Sequence, residues 1–252
     1  MGQTVVFGGA GMEELSISYS CLSKDGGRDI NEDYLDVSIM PDRLAFILCD
    51  GLGGHGNGDI ASQFVTESLK NSLEKAERLE NSILIAQNGL LQLQRKSNAI
   101  HSMKTTLTCL TLEKDTAKFG YVGDSRIYCF EKGKYKLRSQ DHSVPQMLAS
   151  RGLIREEDIR FHEDRSKLLR VMGTEWDRPK YQIVDNIRLS GHLSFLLCSD
   201  GFWELIDERQ MAKTLKRSET PQQWLEEMES IIQQNGQNTD MDNYSAIAVF
   251  LR

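Results

Sequence analysis

Four aspartates lie far apart in this chain, yet each is delivered by the same kind of sequence, an apolar run that ends or begins at the acid. Asp50 closes the run Leu44–Cys49, Asp124 follows Phe119–Gly123, Asp200 follows Leu193–Ser199, and Asp242 precedes Asn243 and the run Tyr244–Leu251. Short β-branched, aromatic and aliphatic runs bounded by Gly or Asp read as buried strands. An unpaired carboxylate at the mouth of such a strand is costly to bury. Two carboxylates about 4 Å apart repel by roughly 4 kcal/mol at an effective dielectric near 20. If these strand ends converge, something cationic must hold them together, and a pair of hard divalent ions is the simplest answer.

Other chemistry-bearing segments admit several readings. Arg28-Asp-Ile-Asn-Glu32-Asp33 sets a guanidinium four and five residues before two acids, a pattern that a solvated surface cluster also produces. The segment Asp50-Gly-Leu-Gly-Gly-His-Gly56 matches G-x-G-x-x-G between a strand and a helix, the context of a dinucleotide-binding turn. Asp50 would repel a pyrophosphate there, and the chain about 20 residues on is still helical instead of ending a second strand on an acid. No Gly-Lys-Ser/Thr follows, which excludes a P-loop. Asp141-His142-Ser143 imitates a hydrolytic triad, but no G-x-S-x-G elbow exists, and a polar turn capping a helix explains it better. His101, His162 and His192 read as surface residues, and Trp203 and Trp224 as helix-face packing.

The elements that must position these residues follow from periodicity. Strands are expected at 14–22, 34–40 and 43–50, with a polar turn Lys24–Gly27 joining the first two. Asp59 reads as the N-cap of a helix over 60–77, in which Ile60, Phe64, Val65, Leu69 and Leu73 recur at helical spacing. A second helix fits 81–97, then strands at 105–113, 116–123, 126–131 and 134–139. Short helices are expected over 143–175, strands at 180–188 and 193–199, helices at 207–216 and 220–234, and a last strand at 244–251. Runs of strands separated by helical pairs argue for antiparallel sheets with helices outside them, not an alternating βαβ fold. No linker divides the 252 residues, so one domain is expected, with 1–13 as an extension before the first core strand.

Bulk properties exclude more than they assign. Thirty basic against thirty-seven acidic side chains, net −7, argue against a general binder of nucleic acid or anionic membrane. Five cysteines without CxxC or Cys/His spacing read as buried thiols in a reducing cytosol. No apolar run approaches the ~18 residues of a membrane span. Met1-Gly2 suggests myristoylation, but Val6 stands where Ser or Thr is expected.

The acid-bearing motifs occur in one order: Arg28-x-x-Asn31-Glu32-Asp33, Asp50-Gly51-x-Gly53-Gly54, Thr105-Thr106, Gly123-Asp124-Ser125-Arg126, Asp141-His142-Ser143, Ser199-Asp200-Gly201 and Asp242-Asn243. From about residue 14 onward this series resembles the type 2C metal-dependent protein serine/threonine phosphatases, in their compact bacterial-type branch. The resemblance implies an α+β fold, an αββα sandwich with a dimetal centre of Mn²⁺ or Mg²⁺ at one end. By position, Asp50 would bridge two metals, the Gly51 carbonyl would bind one, and Asp200 and Asp242 would hold the other. Glu32 and Asp33 would act mainly through waters, Asp124 would serve a weaker third site, and Arg28 would grip the substrate phosphate. Leu52 stands where many eukaryotic members carry a His proposed as general acid, and Glu204 where some relatives have Asp. His55 is read as solvent-facing, with water as the proton donor.

The chemistry suits these residue types in its own right. All-oxygen ligand sets favour Mg²⁺ or Mn²⁺, a metal pair activates water and clamps phosphoryl oxygens, and the guanidinium fork donates two parallel bonds to phosphate. The expected protein is a cytoplasmic, monomeric phosphatase of phosphoserine and phosphothreonine proteins, opposing a cognate kinase. The rival reading is an inactive phosphoprotein-binding module of the same fold.

Overall fold

The computed structural model describes residues 3–7, 15–52 and 56–252. Strand β4 (Arg43–Asp50) shows how the architecture follows from sequence. Leu44, Phe46 and Leu48 pack in one apolar layer, whereas Ala45, Ile47 and Cys49 pack in another. A strand buried on both faces needs apolar residues at every position, not an alternating pattern. Strands β10 (Leu193–Cys198) and β11 (Tyr244–Leu251) behave the same way. Phe195, Leu197, Ile247 and Val249 enter the layer shared with β4, and Leu196, Ala246, Ala248 and Phe250 face helices.

Two sheets result. One has the order β1 (Gln3–Phe7), β2 (Leu15–Lys24), β11, β10, β7 (Arg126–Glu131), β8 (Lys134–Arg138). The other runs β3 (Asp33–Met40), β4, β5 (Leu107–Glu113), β6 (Thr116–Val122), β9 (Gln182–Arg188), and every pairing in both is antiparallel. Phe46, Phe119, Phe195 and Ile247 fill the space between the sheets. Helices α1 (Gly58–Glu74) and α2 (Leu79–Lys96) cover the five-stranded sheet through Val65, Leu69, Ile83 and Leu90. Helices α4 (Asp200–Trp203), α5 (Glu208–Leu215) and α6 (Pro221–Asn235) cover the other through Phe202, Met211, Trp224 and Met228. The expected αββα sandwich is the observed one.

Several local expectations differ. Strands β2 and β3 are not a hairpin, because they belong to different sheets. Asp59 is not the N-cap of α1. That place is taken by Asn57 in the left-handed region (φ 66°), a conformation Asn tolerates better than most residues, and Asp59 lies in the first turn. Within 143–175 only α3 (Val144–Ser150) and a 3₁₀ segment (Glu156–Phe161) are helical. Strand β1 pairs antiparallel with β2 at the sheet edge, within the 1–13 segment where the sequence pattern predicts only an extension. Ser143 does cap α3, accepting from the Gln146 amide. Cys49, Cys109, Cys129 and Cys198 are buried free thiols, and Cys21 is half-buried. Among the described residues no helix is long and apolar enough to cross a membrane.

Candidate active site

The pairings place the acid-bearing strand ends together. Asp33 opens β3 directly opposite Asp50, which closes β4. Two carboxylates facing each other across a ladder destabilise a sheet. Asp50 keeps the parity of Leu44, Phe46 and Leu48, so acids begin where the apolar inter-sheet layer ends. In the other sheet, Cys198 at the end of β10 pairs with both Arg126 and Ala246, which brings Asp124, Asp200 and Asp242 to the same end. A cavity of about 610 Å³ opens there, lined by Arg28, Glu32, Asp50, Asp124, Asp200 and Asp242 among others. Leu168, from the irregular chain after the 3₁₀ segment, closes part of it.

Each acid is held by its own backbone or by short polar neighbours. The Asp50 amide donates to Thr106 Oγ1 (2.9 Å), and Thr105 Oγ1 and the Thr106 amide both donate to the Asp50 carbonyl (2.8 Å each). Thr106 Oγ1 also meets Ser125 Oγ at 2.7 Å, tying the Asp50 strand end to the Asp124 loop. Glycine is required at 51, where a Cβ would lie 2.3 Å from the Gly58 carbonyl oxygen and 2.7 Å from that of Glu32. Glu32 reaches the start of α1, where a Cβ on Gly58 would lie 2.7 Å from its Oε1, and burial and the Asp59 charge raise its carboxyl. Asn243 fastens the Arg28 loop by accepting from the Glu32 amide (2.9 Å) and donating to the Asp25 and Ile30 carbonyls.

Asp124 sits on a braced turn. Gly123 has φ +103°, and a Cβ there would come within 2.7 Å of Thr106 Cγ2. The Gly123 amide donates to His142 Nδ1 (3.1 Å), and the imidazole stacks on Tyr121. Burial pushes His142 down to about 4, with the Arg170 charge adding to the shift, so the ring is neutral and structural. On the other side, Trp203 Nε1 donates to the Asp124 carbonyl (3.0 Å), and the buried Arg126 guanidinium lies 3.4 Å over the indole centroid. Asp141 holds Arg126 in a bidentate pair at 2.9 and 2.7 Å. Trp203 is core packing, as its spacing indicates, and it also fixes the Asp124 backbone.

The carboxylates perturb one another. Burial first, then the charge of Asp200, pushes both Asp50 and Asp124 well above the ordinary carboxylate range. Burial, then Glu204 and Asp242, raises Asp200 to about 7. Asp33 rises to about 6 through burial, although Ser199 Oγ donates to its Oδ2 at 2.8 Å. Its Oδ1 is buried without a hydrogen-bond partner. These acids interact over coulombic range without closing into one tight ligand set. Among the described residues no three acids, histidines or cysteines converge on a single point. Two features differ from the simplest expectation. Arg28 bridges Asp242 (Nε to Oδ1 3.2 Å, Nη2 to Oδ2 3.3 Å) and Asp240 (3.2 Å), so its donors are shared between these acids and any phosphate. Glu204 is bound to Arg165 at 2.9 Å and does not line the cavity. His55 lies outside the described residues.

Mutually repelling, oxygen-only acids with an orphaned carboxylate oxygen fit hard divalent cations. Sandwich and cavity together fit one class, the metal-dependent phosphatases. Comparison with known proteins agrees: the family model described as Protein phosphatase 2C matches residues 26–244. The serine/threonine phosphatase stp of Listeria welshimeri is 30% identical over 200 residues, covering 75% of this chain and 79% of the relative. The crystal structure of Stp1 from Staphylococcus aureus matches with a TM-score of 0.85 at 25% identity, covering 100% of this chain and 99% of that one. The catalytic domain of the phosphatase PstP, solved in complex with two manganese ions, shares the fold (TM-score 0.77, 23% identity, 94% and 99% covered). The chain belongs to the protein phosphatase 2C family of metal-dependent serine/threonine protein phosphatases.

Proposed function

We propose that the acid-lined cavity is the catalytic centre of this phosphatase, with Asp50, the Gly51 carbonyl, Asp200 and Asp242 holding two tight Mn²⁺ or Mg²⁺ ions. The observation that carries this reading is the ring of carboxylates from four strand ends around a cavity that also contains Arg28. A bound metal pair would supply charge to the phosphoryl oxygens and an activated water. Asp50 and Asp200 carry the negative charge that retains those cations. Glu32 and Asp33, at the cavity edge and behind it, orient waters. Asp124 serves a weaker third site, fixed by the Thr106–Ser125 contact and the Trp203 indole. Arg28 orients the phosphate through its planar fork, and Leu52 leaves leaving-group protonation to water.

In the same reading the substrates are phosphoserine and phosphothreonine proteins, a serine/threonine kinase supplies them, and the enzyme works as a monomer in the cytoplasm. Manganese-dependent hydrolysis of an aryl phosphate and of a phosphoserine peptide, each abolished by chelator and restored by Mn²⁺, tests the core of the proposal. Hydrolysis that survives full chelation would exclude it.

Arg28→Ala is expected to raise KM for phosphopeptide and the inhibition constant of free phosphate by about tenfold, as loss of a charge-assisted pair of bonds implies. Metal affinity should not fall, since Asp242 loses a competing cation. Arg28→Lys should recover only part of the loss. Unchanged KM and phosphate inhibition would return Arg28 to the role of a surface ion pair. Asp124→Ala is expected to leave the manganese stoichiometry of the tight sites intact while lowering kcat on phosphopeptides. Identical kinetics across a manganese titration would remove the third site.

A further inference from the structure

We propose that a second cleft, between β8, the 3₁₀ segment and α5, is a docking site for an acidic, extended segment of the phosphoprotein substrate. This cleft has a volume of about 650 Å³ and shares no lining residue with the catalytic cavity. Its walls carry five cations, Lys134, Arg138, Arg155, Arg209 and Lys216, against three acids, Glu156, Glu157 and Glu208. All three acids are already neutralised. Glu156 pairs with Arg138, Glu157 with Arg155, and Glu208 with Arg160. Lys134, Arg209 and Lys216 make no ion pair among the described residues. A chain of net charge −7 thus presents a cleft with two surplus positive charges and three uncommitted cationic heads.

The floor and the edge of the cleft favour a peptide over a free anion. Tyr135 is 44% exposed there, with its ring edge-on to Tyr128 and Phe130 beneath, so it presents a rigid apolar surface. Lys216 packs its stem over the β7–β8 turn, where a Cβ on Gly133 would meet its Cγ at 3.0 Å. Strand β8 ends the six-stranded sheet and pairs only with β7. Its outer backbone edge has no backbone partner among the described residues. An extended peptide can add to such an edge by main-chain hydrogen bonds, with side-chain pockets giving specificity. Lysines on an edge strand repel a second copy of the same edge. The same charges attract an acidic segment, and an apolar residue alternating with the acids would rest on Tyr135.

The physiological meaning rests on the phosphoprotein reading, but the binding measurement is independent of turnover, so the two can fail separately. The probe is a short, fluorescently labelled, unphosphorylated peptide alternating glutamate and leucine, titrated with the full chain at low salt. Saturable binding is expected, weakened by added salt and about tenfold or more by the combined Lys134→Glu, Arg209→Glu and Lys216→Glu variant. Inorganic phosphate should weaken binding no more than chloride at equal ionic strength, and kcat of the variant on aryl phosphate should match the wild type. A Gln version of the three substitutions, checked for native circular dichroism, should also bind more weakly than the wild type, and it carries the test where the reversed charges impair folding. Tyr135→Ser should weaken binding without changing its salt dependence. No binding to the wild type, equal affinity in the Glu and Gln variants and the wild type, or displacement by inorganic phosphate beyond that by chloride at equal ionic strength would overturn the proposal.

Discussion

Asp50→Asn should lower turnover on both phosphopeptide and aryl phosphate by at least about a hundredfold, roughly 2.7 kcal/mol of barrier. The loss should appear in kcat, with one fewer manganese bound by calorimetry. Asparagine is nearly isosteric, and the contacts that hold residue 50 use its backbone. The amide donates to Thr106, and the carbonyl accepts from Thr105 and Thr106. The substitution therefore removes charge from the centre of the carboxylate ring without moving the strand end. Native-like melting with unaltered manganese stoichiometry and near-wild-type activity would dismiss the dimetal assignment.

Asp200→Asn should invert its effect on stability between metal-free and metal-loaded protein. In the folded chain Asp200 titrates near 7, against 3.8 for an ordinary aspartate, because burial and neighbouring acids oppose its charge. The folded state therefore binds more protons than the unfolded state between those values, and this group's contribution falls as pH rises through that window. Asp33, raised to about 6, acts in the same direction, whereas His142, depressed to about 4, opposes it below 6.5. Comparison of the variant with the wild type cancels His142 and reads Asp200 together with the repulsion it exerts on Asp50 and Asp124, and both contributions have the same sign. In chelator, the variant should match the wild type near pH 4 and melt several degrees higher at pH 7.5, where a charge repelled by its neighbours has been removed. With saturating Mn²⁺ at pH 7.5 the order should reverse, because ligand binding stabilises only the protein that retains the site. Differential scanning calorimetry in both conditions checks it. A melting difference independent of pH and metal would show that Asp200 neither repels the other acids nor holds a cation.

The order of acids along the chain, and the kind of element that carries each, were legible in the amino-acid sequence. A strand buried on both faces has to be apolar throughout, as in Leu44–Cys49, and an acid at its end stands out against that background. Helix faces and most turns follow from equally local patterns. Partnership across the molecule does not, because it depends on which strand ends the two sheets bring together. Only the tertiary structure sets Asp33 against Asp50, ties Thr106 to Ser125, and hangs the Asp124 carbonyl on the Trp203 indole. It also decides that Arg28 grips Asp242 and Asp240, a pairing across more than 200 residues that no spacing encodes. Local pattern puts the N-cap of α1 two residues too late, because Asp at 59 is an ordinary capping residue. Asn57 takes the left-handed turn instead, next to Gly58, where a Cβ would lie 2.7 Å from Glu32 Oε1 and 2.9 Å from the Gly51 carbonyl carbon. Local physics thus determined which residues could do the chemistry, and long-range packing decided how near to one another, and how deeply buried, they would be.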